Sequence, residues 1–170
     1  MVRGRIYLVF ALAVAAPLSG CFGAPSLPDL LRDQRISPHA VVRLSTDQAV
    51  AARRDGNQVS VLNFTDTLQG WRVRQIASDS GGSDSSSLHL FTLGGQTSLE
   101  WNTFVYGIAP QVVSRVKLSG FEYEGGQVAD GAWVIVLRER DLRPEEIHWE
   151  FIGATGGVIK AGDGIFPPKA

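Results

Sequence analysis

The chain has 170 residues, with 16 lysines and arginines against 17 aspartates and glutamates, and it contains a single cysteine. This length fits one domain, and the charge balance gives no basic footprint for nucleic acid. One cysteine cannot form an intramolecular disulfide, so we expect a fold that depends on a packed core.

The first 20 residues predict an export signal. Arg3 and Arg5 precede an unbroken apolar run over residues 6–16. That run is long enough for a signal-peptide core, and it is too short for a membrane span, which needs roughly 20 apolar residues. Pro17 ends the run, and residues 18–21 (Leu-Ser-Gly-Cys) supply the small side chains that a cleavage site requires.

Residues 18–21 resemble the bacterial lipobox, in which the cysteine is lipidated on sulfur and becomes the first residue of the mature chain. The resemblance implies a lipoprotein anchored by acyl chains on Cys21, at the extracytoplasmic face of the cell membrane. The alternatives are an ordinary signal peptide followed by an incidental cysteine, or an uncleaved anchor. Removal of residues 1–20 leaves 150 residues with a formal charge of −3, because the signal contains two arginines and no acidic residue.

We expect residues 21–44 to comprise the lipidated cysteine and a tether that holds the domain away from the membrane. Pro25, Pro28 and Pro38 lie there among polar residues, without sustained hydrophobic periodicity. A leucine-rich turn near residue 30 is too short to form a stable helix alone.

Residues 45–168 predict a single β-rich domain that opens with one short helix. Residues 45–48 (Ser-Thr-Asp-Gln) match a capping box, and the alanine-rich residues 49–52 follow. The competing interpretation makes Asp55 and Gly56 a hairpin turn with a strand before it.

The remaining sequence is typical of short strands separated by glycine turns. The predicted strands cover residues 58–64, 71–76, 88–93, 97–106, 112–118, 132–137 and 147–152. Residues 132–137 are uninterrupted and apolar, which predicts a central core strand. Strands that recur about every 8–12 residues favour a mainly β fold, an antiparallel β-sandwich or partial barrel.

Three segments together resemble a group of exported bacterial domains of unknown function. These segments are residues 70–73 (Gly-Trp-Arg-Val), residues 105–110 (Val-Tyr-Gly-Ile-Ala-Pro) and residues 130–133 (Asp-Gly-Ala-Trp), with a Gly/Ser stretch after the first. Such domains occur as lipoproteins or behind single membrane anchors, chiefly in Gram-positive and related lineages. The likeness covers roughly residues 57–160. It implies a β-rich extracytoplasmic domain and assigns no catalytic residue.

Two acidic patterns raise the question of a metal. His148 and Glu150 share one strand face and would bind a metal if a third ligand came from a neighbouring strand, but a solvated outer face is the simpler explanation. Asp79 and Asp84 flank a Gly/Ser loop, and with Asp163 they suggest calcium, but no EF-hand spacing is present. We therefore expect no metal and no cofactor.

The four tryptophans have two interpretations. Trp71, Trp101, Trp133 and Trp149 would make a stacking platform for carbohydrate or peptide if they shared an exposed face. Each lies in an apolar strand pattern, which favours core packing.

The most highly charged segment is the loop over residues 138–146. Its charged side chains include Arg138, Arg140, Asp141 and Arg143. The default interpretation is a solvated connection, and the sharper alternative is a docking site for a protein partner.

These patterns favour a non-catalytic binding or accessory module of the cell envelope. Its expected partners are the membrane, through the lipid on Cys21, and an envelope protein, with no nucleic acid. One alternative is an envelope hydrolase whose site assembles from His148, Glu150, Asp130 and Arg115. The other is a lipoprotein that binds a small ligand inside the β fold.

Overall fold

The computed structural model describes residues 23–81, 86–92, 103–137 and 142–165. This part of the chain contains one α-helix, two short 3-10 turns and eleven strands. In chain order the elements are α1 (Leu27–Asp33), a 3-10 turn (Pro38–Ala40), β1 (Val41–Arg43), β2 (Gln48–Asp55), β3 (Gln58–Thr67), β4 (Gly70–Ser80), β5 (His89–Thr92), β6 (Thr103–Ile108), β7 (Val113–Ser119), β8 (Tyr123–Gly125), β9 (Ala132–Leu137), a second 3-10 turn (Pro144–Glu146), β10 (His148–Gly153) and β11 (Val158–Asp163).

The strands form three antiparallel sheets. The outer sheet has the order β1-β2-β3-β4, the central sheet has the order β5-β6-β9-β8, and the C-terminal sheet has the order β11-β10-β7. The prediction of a mainly β, antiparallel fold with one short helix is confirmed. Among the described residues, no helix has the length and apolar character that a membrane span requires.

The central sheet is buried on both faces. In β9, alternate side chains belong to different cores: Val134 and Val136 pack against the outer sheet, whereas Trp133 and Ile135 pack against the C-terminal sheet. All six residues of β9 are buried. A strand covered on both faces is apolar throughout, which explains its uninterrupted sequence and confirms the predicted core strand.

Strand β3 changes the face of its apolar side chains halfway along its length. Val59 and Val61 pack on the central sheet, whereas Leu62 and Phe64 pack on the opposite face, under α1. The register with β4 shifts between Val61 and Leu62. The extra residue of this β-bulge is Ile76 in β4, whereas β3 pairs with β2 without interruption. A regular strand places residues 59 and 61 on one face and residues 62 and 64 on the other, so the apolar side chains change face because both faces of β3 are covered.

A pair of glycines joins the central sheet to the C-terminal sheet. Gly125 and Gly126 have φ values of +100° and +85°. The N–H of Gly126 donates to the carbonyl of Val134 in β9 at 2.9 Å, and its carbonyl accepts from the N–H of Val116 in β7 at 2.7 Å. One residue thus bonds to strands of both sheets, so the edges of the central and C-terminal sheets meet at Gly126.

The helix predicted at residues 45–52 is wrong, because this segment lies in strand β2, Gln48–Asp55. Its four consecutive apolar residues are all buried, between α1 on one face and the central sheet on the other. Alanines fit that narrow space, so tertiary packing overrides their helix propensity. The competing interpretation was right: Gly56, with φ of +59°, lies in the hairpin turn between β2 and β3.

The tether predicted over residues 21–44 is also wrong for residues 25–44, which are folded. Helix α1 begins with a capping box between Ser26 and Asp29, and its Leu27 and Leu31 are buried against the outer sheet. An amphipathic turn that is marginal alone is stabilised here by a sheet that it covers. The folded domain therefore includes the segment that precedes residue 45.

Candidate functional site

The predicted lipidation site, Cys21, lies outside the described residues, but the structure shows where the chain that follows it joins the domain. The carbonyl of Pro25 accepts a hydrogen bond of 2.9 Å from the N–H of Trp71 in β4. A side chain at Gly70 would come within 2.7 Å of the Cβ of Ala24. Ala24, three residues after Cys21, is thus in contact with the outer sheet.

The turn between β3 and β4 lies beside this entry point. The Thr67 hydroxyl donates to the carbonyl of Gly70 at 2.7 Å and accepts from the N–H of Gln69 at 3.2 Å. These bonds fix a tight turn, and Leu68 at its tip is fully exposed. We call residues 67–70 the Leu68 turn.

An apolar groove of about 500 Å³ separates α1 from β1. Its lining includes Leu27, Leu31 and Val41, together with the charged residues Arg32 and Arg43. The Arg43 guanidinium lies 5.2 Å from the centre of a Trp71 ring, and this stacking orients it. The groove combines an apolar surface with two cations, which suits a ligand that has an apolar body and an acidic group.

The N-terminus of α1 fixes one wall of that groove. The Ser26 hydroxyl bonds to the Asp29 carboxylate at 2.5 Å, and Arg32 forms an ion pair of 3.3 Å with the same carboxylate. The hydrogen bonds from Ser26 lower the pKa of Asp29, and Arg32 adds a smaller effect in the same direction. The carboxylate thus stays ionised and keeps the helix capped.

A polar cluster lies where the outer sheet meets the central sheet. The buried Tyr106 hydroxyl donates to Asp79 at 2.5 Å, and Nδ1 of buried His89 lies 3.9 Å from the same carboxylate. Burial raises the pKa of Tyr106 strongly, and the bond to Asp79 adds to the rise. The neutral phenol is a hydrogen-bond donor that ties the two sheets together.

The candidate metal ligands His148 and Glu150 lie on the exposed outer face of the C-terminal sheet. The neighbouring strand β11 places Asp163 opposite His148, and the two side chains bond directly. Among the residues that the structure describes, no group of three or more His, Cys, Asp or Glu could hold a metal ion. Asp79 bonds to Tyr106, whereas Asp84, the other predicted calcium ligand, is outside the described residues.

The proposed hydrolase residues are not brought together. Asp130 shares a cavity of about 410 Å³ with Arg54 and Val113 at one end of β7. His148 pairs with Ser119 at the other end of β7. The six residue steps between Val113 and Ser119 span about 20 Å. Arg115 pairs instead with Ile152 and Gln127 between these two ends.

The structure describes only part of the candidate docking loop. Arg138, Arg140 and Asp141 lie outside the described residues. Arg143 is exposed, and its backbone N–H donates to the Glu146 carboxylate at 3.2 Å, at the start of the second 3-10 turn. The docking role of this loop stays a prediction.

The tryptophans pack as predicted where they are described. Trp133 is fully buried and packs edge-on against Phe151, with ring centres 6.4 Å apart. Trp149 is buried 4.9 Å from Phe151, and Trp71 is half-buried beside α1. Trp101 lies outside the described residues. The three described indoles therefore belong to cores and do not share an exposed platform.

The sequence patterns do not predict the Leu68 turn, the groove or the Tyr106 cluster. A leucine in a predicted polar turn was the one local signal for the first. The other two sites join residues from separate elements, such as Leu27 with Val41, or Asp79 with Tyr106. Only the pairing of strands brings these residues together, and the sequence carries no local signal for it.

No family model, curated protein or solved structure matches this chain. The resemblance of residues 57–160 to exported bacterial domains therefore stays a prediction from the sequence.

Proposed function

We propose that this protein is an extracytoplasmic lipoprotein, held at the cell membrane by acyl chains on Cys21, and that it serves as a non-catalytic binding or accessory module of the envelope. The observation that carries the proposal is the position of Cys21. It is the last residue of a complete lipobox pattern, and it lies three residues before Ala24, which contacts the folded domain.

The chemistry of the anchor supports stable membrane attachment. Each buried methylene contributes about 0.8 kcal/mol, and one acyl chain alone gives only reversible binding. A lipidated cysteine carries two or three chains, so the protein would remain on the membrane without a spanning helix.

The described polar groups favour a binding role over a catalytic one. Tyr106 bonds to Asp79 inside the fold, and His148 bonds to Asp163 on an open sheet surface. These titratable groups are engaged with one another at separate places, and an active site requires them to converge on a substrate.

The groove between α1 and β1 supports a second candidate, the binding of a small amphiphile. Its leucines would hold an apolar chain, while Arg32 and Arg43 would bind an acidic head group. A fatty acid or similar anion retained by the purified chain, in the absence of a crosslinked protein partner, would favour this second candidate.

The test uses the full-length protein in bacterial cells. We expect the wild-type chain in the membrane fraction, with an intact mass that shows cleavage before Cys21 and added acyl chains. Cys21→Ser should remain uncleaved at this site and carry no lipid. Ser19→Ala is the matched control, because it keeps a small residue in the cleavage site and should be processed normally.

In-cell crosslinking of the same strains then addresses the partner. An envelope protein captured with the wild type, and lost with Cys21→Ser, would establish an accessory role. Recovery of normally processed, lipid-bearing protein from Cys21→Ser would contradict the proposed function.

A further inference from the structure

The Leu68 turn is a rigid turn with an apolar tip. Leu68 exposes its whole side chain to solvent, although the turn around it is fixed by two hydrogen bonds of Thr67. Single exposed leucines are common on protein surfaces, so the exposure by itself has no functional meaning. The meaning comes from the position of the turn relative to the start of the folded chain.

The chain enters the domain directly beside the Leu68 turn. Pro25 accepts a hydrogen bond from Trp71, and Ala24 lies against Gly70, where a side chain would collide with it. Gly70 has φ of +92°, so a glycine suits both the backbone conformation and the close approach. The last residue of the Leu68 turn is thus in contact with Ala24.

The covalent distance from Ala24 to Cys21 is short. Three residues span at most about 11 Å even when fully extended. If the sulfur of Cys21 carries acyl chains, the bilayer surface cannot lie much further than this from the Leu68 turn. The tip of the turn is then within reach of the lipid.

We propose that the Leu68 turn inserts into the bilayer beside the anchor, with Leu68 among the acyl chains and Trp71 and Arg43 at the level of the phosphates. This inference rests on the proposed lipidation of Cys21. Half-buried Trp71, with Arg43 stacked on its ring, has the amphipathic character that membrane interfaces favour. The partner of this surface is therefore a phospholipid bilayer.

The charged side chains around the Leu68 turn balance one another, so we expect its contact with the bilayer to depend on apolar burial. Exposed Arg43 and Arg72 lie at this end of the outer sheet, and exposed Asp47 and Asp66 lie at the same end. Their formal charges cancel. Insertion should therefore depend little on anionic lipid or on salt, which screens attraction between exposed charges.

The opposite end of the outer sheet provides an internal control. Strand β3 runs for 10 residues from the β2–β3 turn to the Leu68 turn, a distance of about 33 Å. Asp55 is exposed at that far end. A probe at Asp55 should remain in water when a probe at Leu68 is in lipid.

The experiment uses the full-length lipidated protein with Leu68→Cys or Asp55→Cys, each labelled with an environment-sensitive fluorophore. Both variants are reconstituted into vesicles of phosphatidylcholine, with or without phosphatidylglycerol, that contain a quencher on the lipid acyl chain. We expect the label at position 68 to shift to the blue and lose most of its emission. The label at position 55 should keep its emission, and neither result should change with phosphatidylglycerol or salt.

The intact mass of each reconstituted protein separates the two ways of failing. An unquenched label at position 68 on a chain that carries its acyl mass would overturn the inference and leave the proposed lipoprotein function standing. Equal quenching at both positions would also overturn it, because the orientation would be wrong. A chain without acyl mass would overturn the proposed function, and the inference with it.

Discussion

At the residue scale, the hydrogen bond between Tyr106 and Asp79 has the clearest consequence for stability. Tyr106 is 1% exposed and lies in the core between the outer and central sheets. An ionised Tyr106 would place a buried phenolate against a carboxylate, which explains why burial first, and Asp79 second, raise the pKa of this tyrosine. Folding therefore keeps a proton on Tyr106 at pH values where an unfolded chain loses it.

We predict that this coupling makes the protein sensitive to alkaline pH. Because the folded pKa is raised, the stabilisation is complete below the unfolded value of about 10 and is lost as pH rises toward the folded value, by about 1.4 kcal/mol per pH unit. Tyr106→Phe should cost about 1 kcal/mol at neutral pH, since one hydrogen bond is lost. Above about pH 10 the variant should lose less stability per pH unit than the wild type.

Urea unfolding at about pH 8 and about pH 11 measures the difference in the free energy of unfolding. Tyr123→Phe is the control, because Tyr123 is half-buried in β8 and leaves the Tyr106–Asp79 bond intact. Equal alkaline losses in the wild type and Tyr106→Phe would contradict the prediction.

At the element scale, the sequence located strands well where burial is complete or strictly alternating. Residues 132–137 are apolar because both faces of β9 are covered, and the apolar side chains of β3 change face near Leu62 because its two halves pack on different cores. The alanines of β2, in contrast, led to the wrong prediction of a helix. Nothing local to residues 49–52 reveals that α1 covers one face and the central sheet the other, so propensity alone favoured the wrong element. The candidate sites were harder, because Asp79, His89 and Tyr106 come from three strands.

The second prediction concerns the loss of stability when a side chain is added at Gly126, which joins two sheets. Gly126 and Gly156 have almost the same φ, +85° and +84°, but an added Cβ would lie 2.3 Å from the Val116 carbonyl at Gly126 and would meet nothing within 4 Å at Gly156. Gly156→Ala should lose about 1–2 kcal/mol, from the positive φ alone. Gly126→Ala should lose about 3–5 kcal/mol, because the backbone that joins the central and C-terminal sheets must also shift.

Denaturant unfolding of both variants tests this prediction. The loss of unfolding free energy in Gly156→Ala measures the cost of the positive φ, and the additional loss in Gly126→Ala measures the cost of the close contact. Similar losses at the two positions would show that the contact between Gly126 and β7 contributes little to stability.

At the scale of the whole molecule, the chain stacks four layers: α1, the outer sheet, the central sheet and the C-terminal sheet. The layer formed by α1 belongs to the segment that follows Cys21 in the chain. If Cys21 is lipidated as proposed, the short link before Ala24 would restrict the rotation of the domain, which a long tether would leave free. The same segment therefore covers a core and determines at which end of the outer sheet the chain enters the domain.

The strongest test of this organisation is truncation. A chain that begins at Ser45 lacks α1 and β1, and it leaves Ala49, Leu62 and Phe64 uncovered on the outer sheet. The lost segment buries Leu27, Leu31 and Ile36, and each such side chain contributes about 1.5–3 kcal/mol. Their sum approaches the total stability of a typical domain, about 5–15 kcal/mol, so this chain should not unfold cooperatively.

A chain that begins at Ala24 keeps every one of these contacts and should melt in a single transition. Thermal unfolding followed by circular dichroism, with a dye that binds exposed apolar surface, compares the two truncations. A cooperative transition of the shorter chain at the temperature of the longer one would mean that α1 only rests on a self-sufficient sheet stack. Loss of that transition in the shorter chain alone would mean that the segment before Ser45 is required for folding, because the outer sheet has no other cover for this face among the described elements.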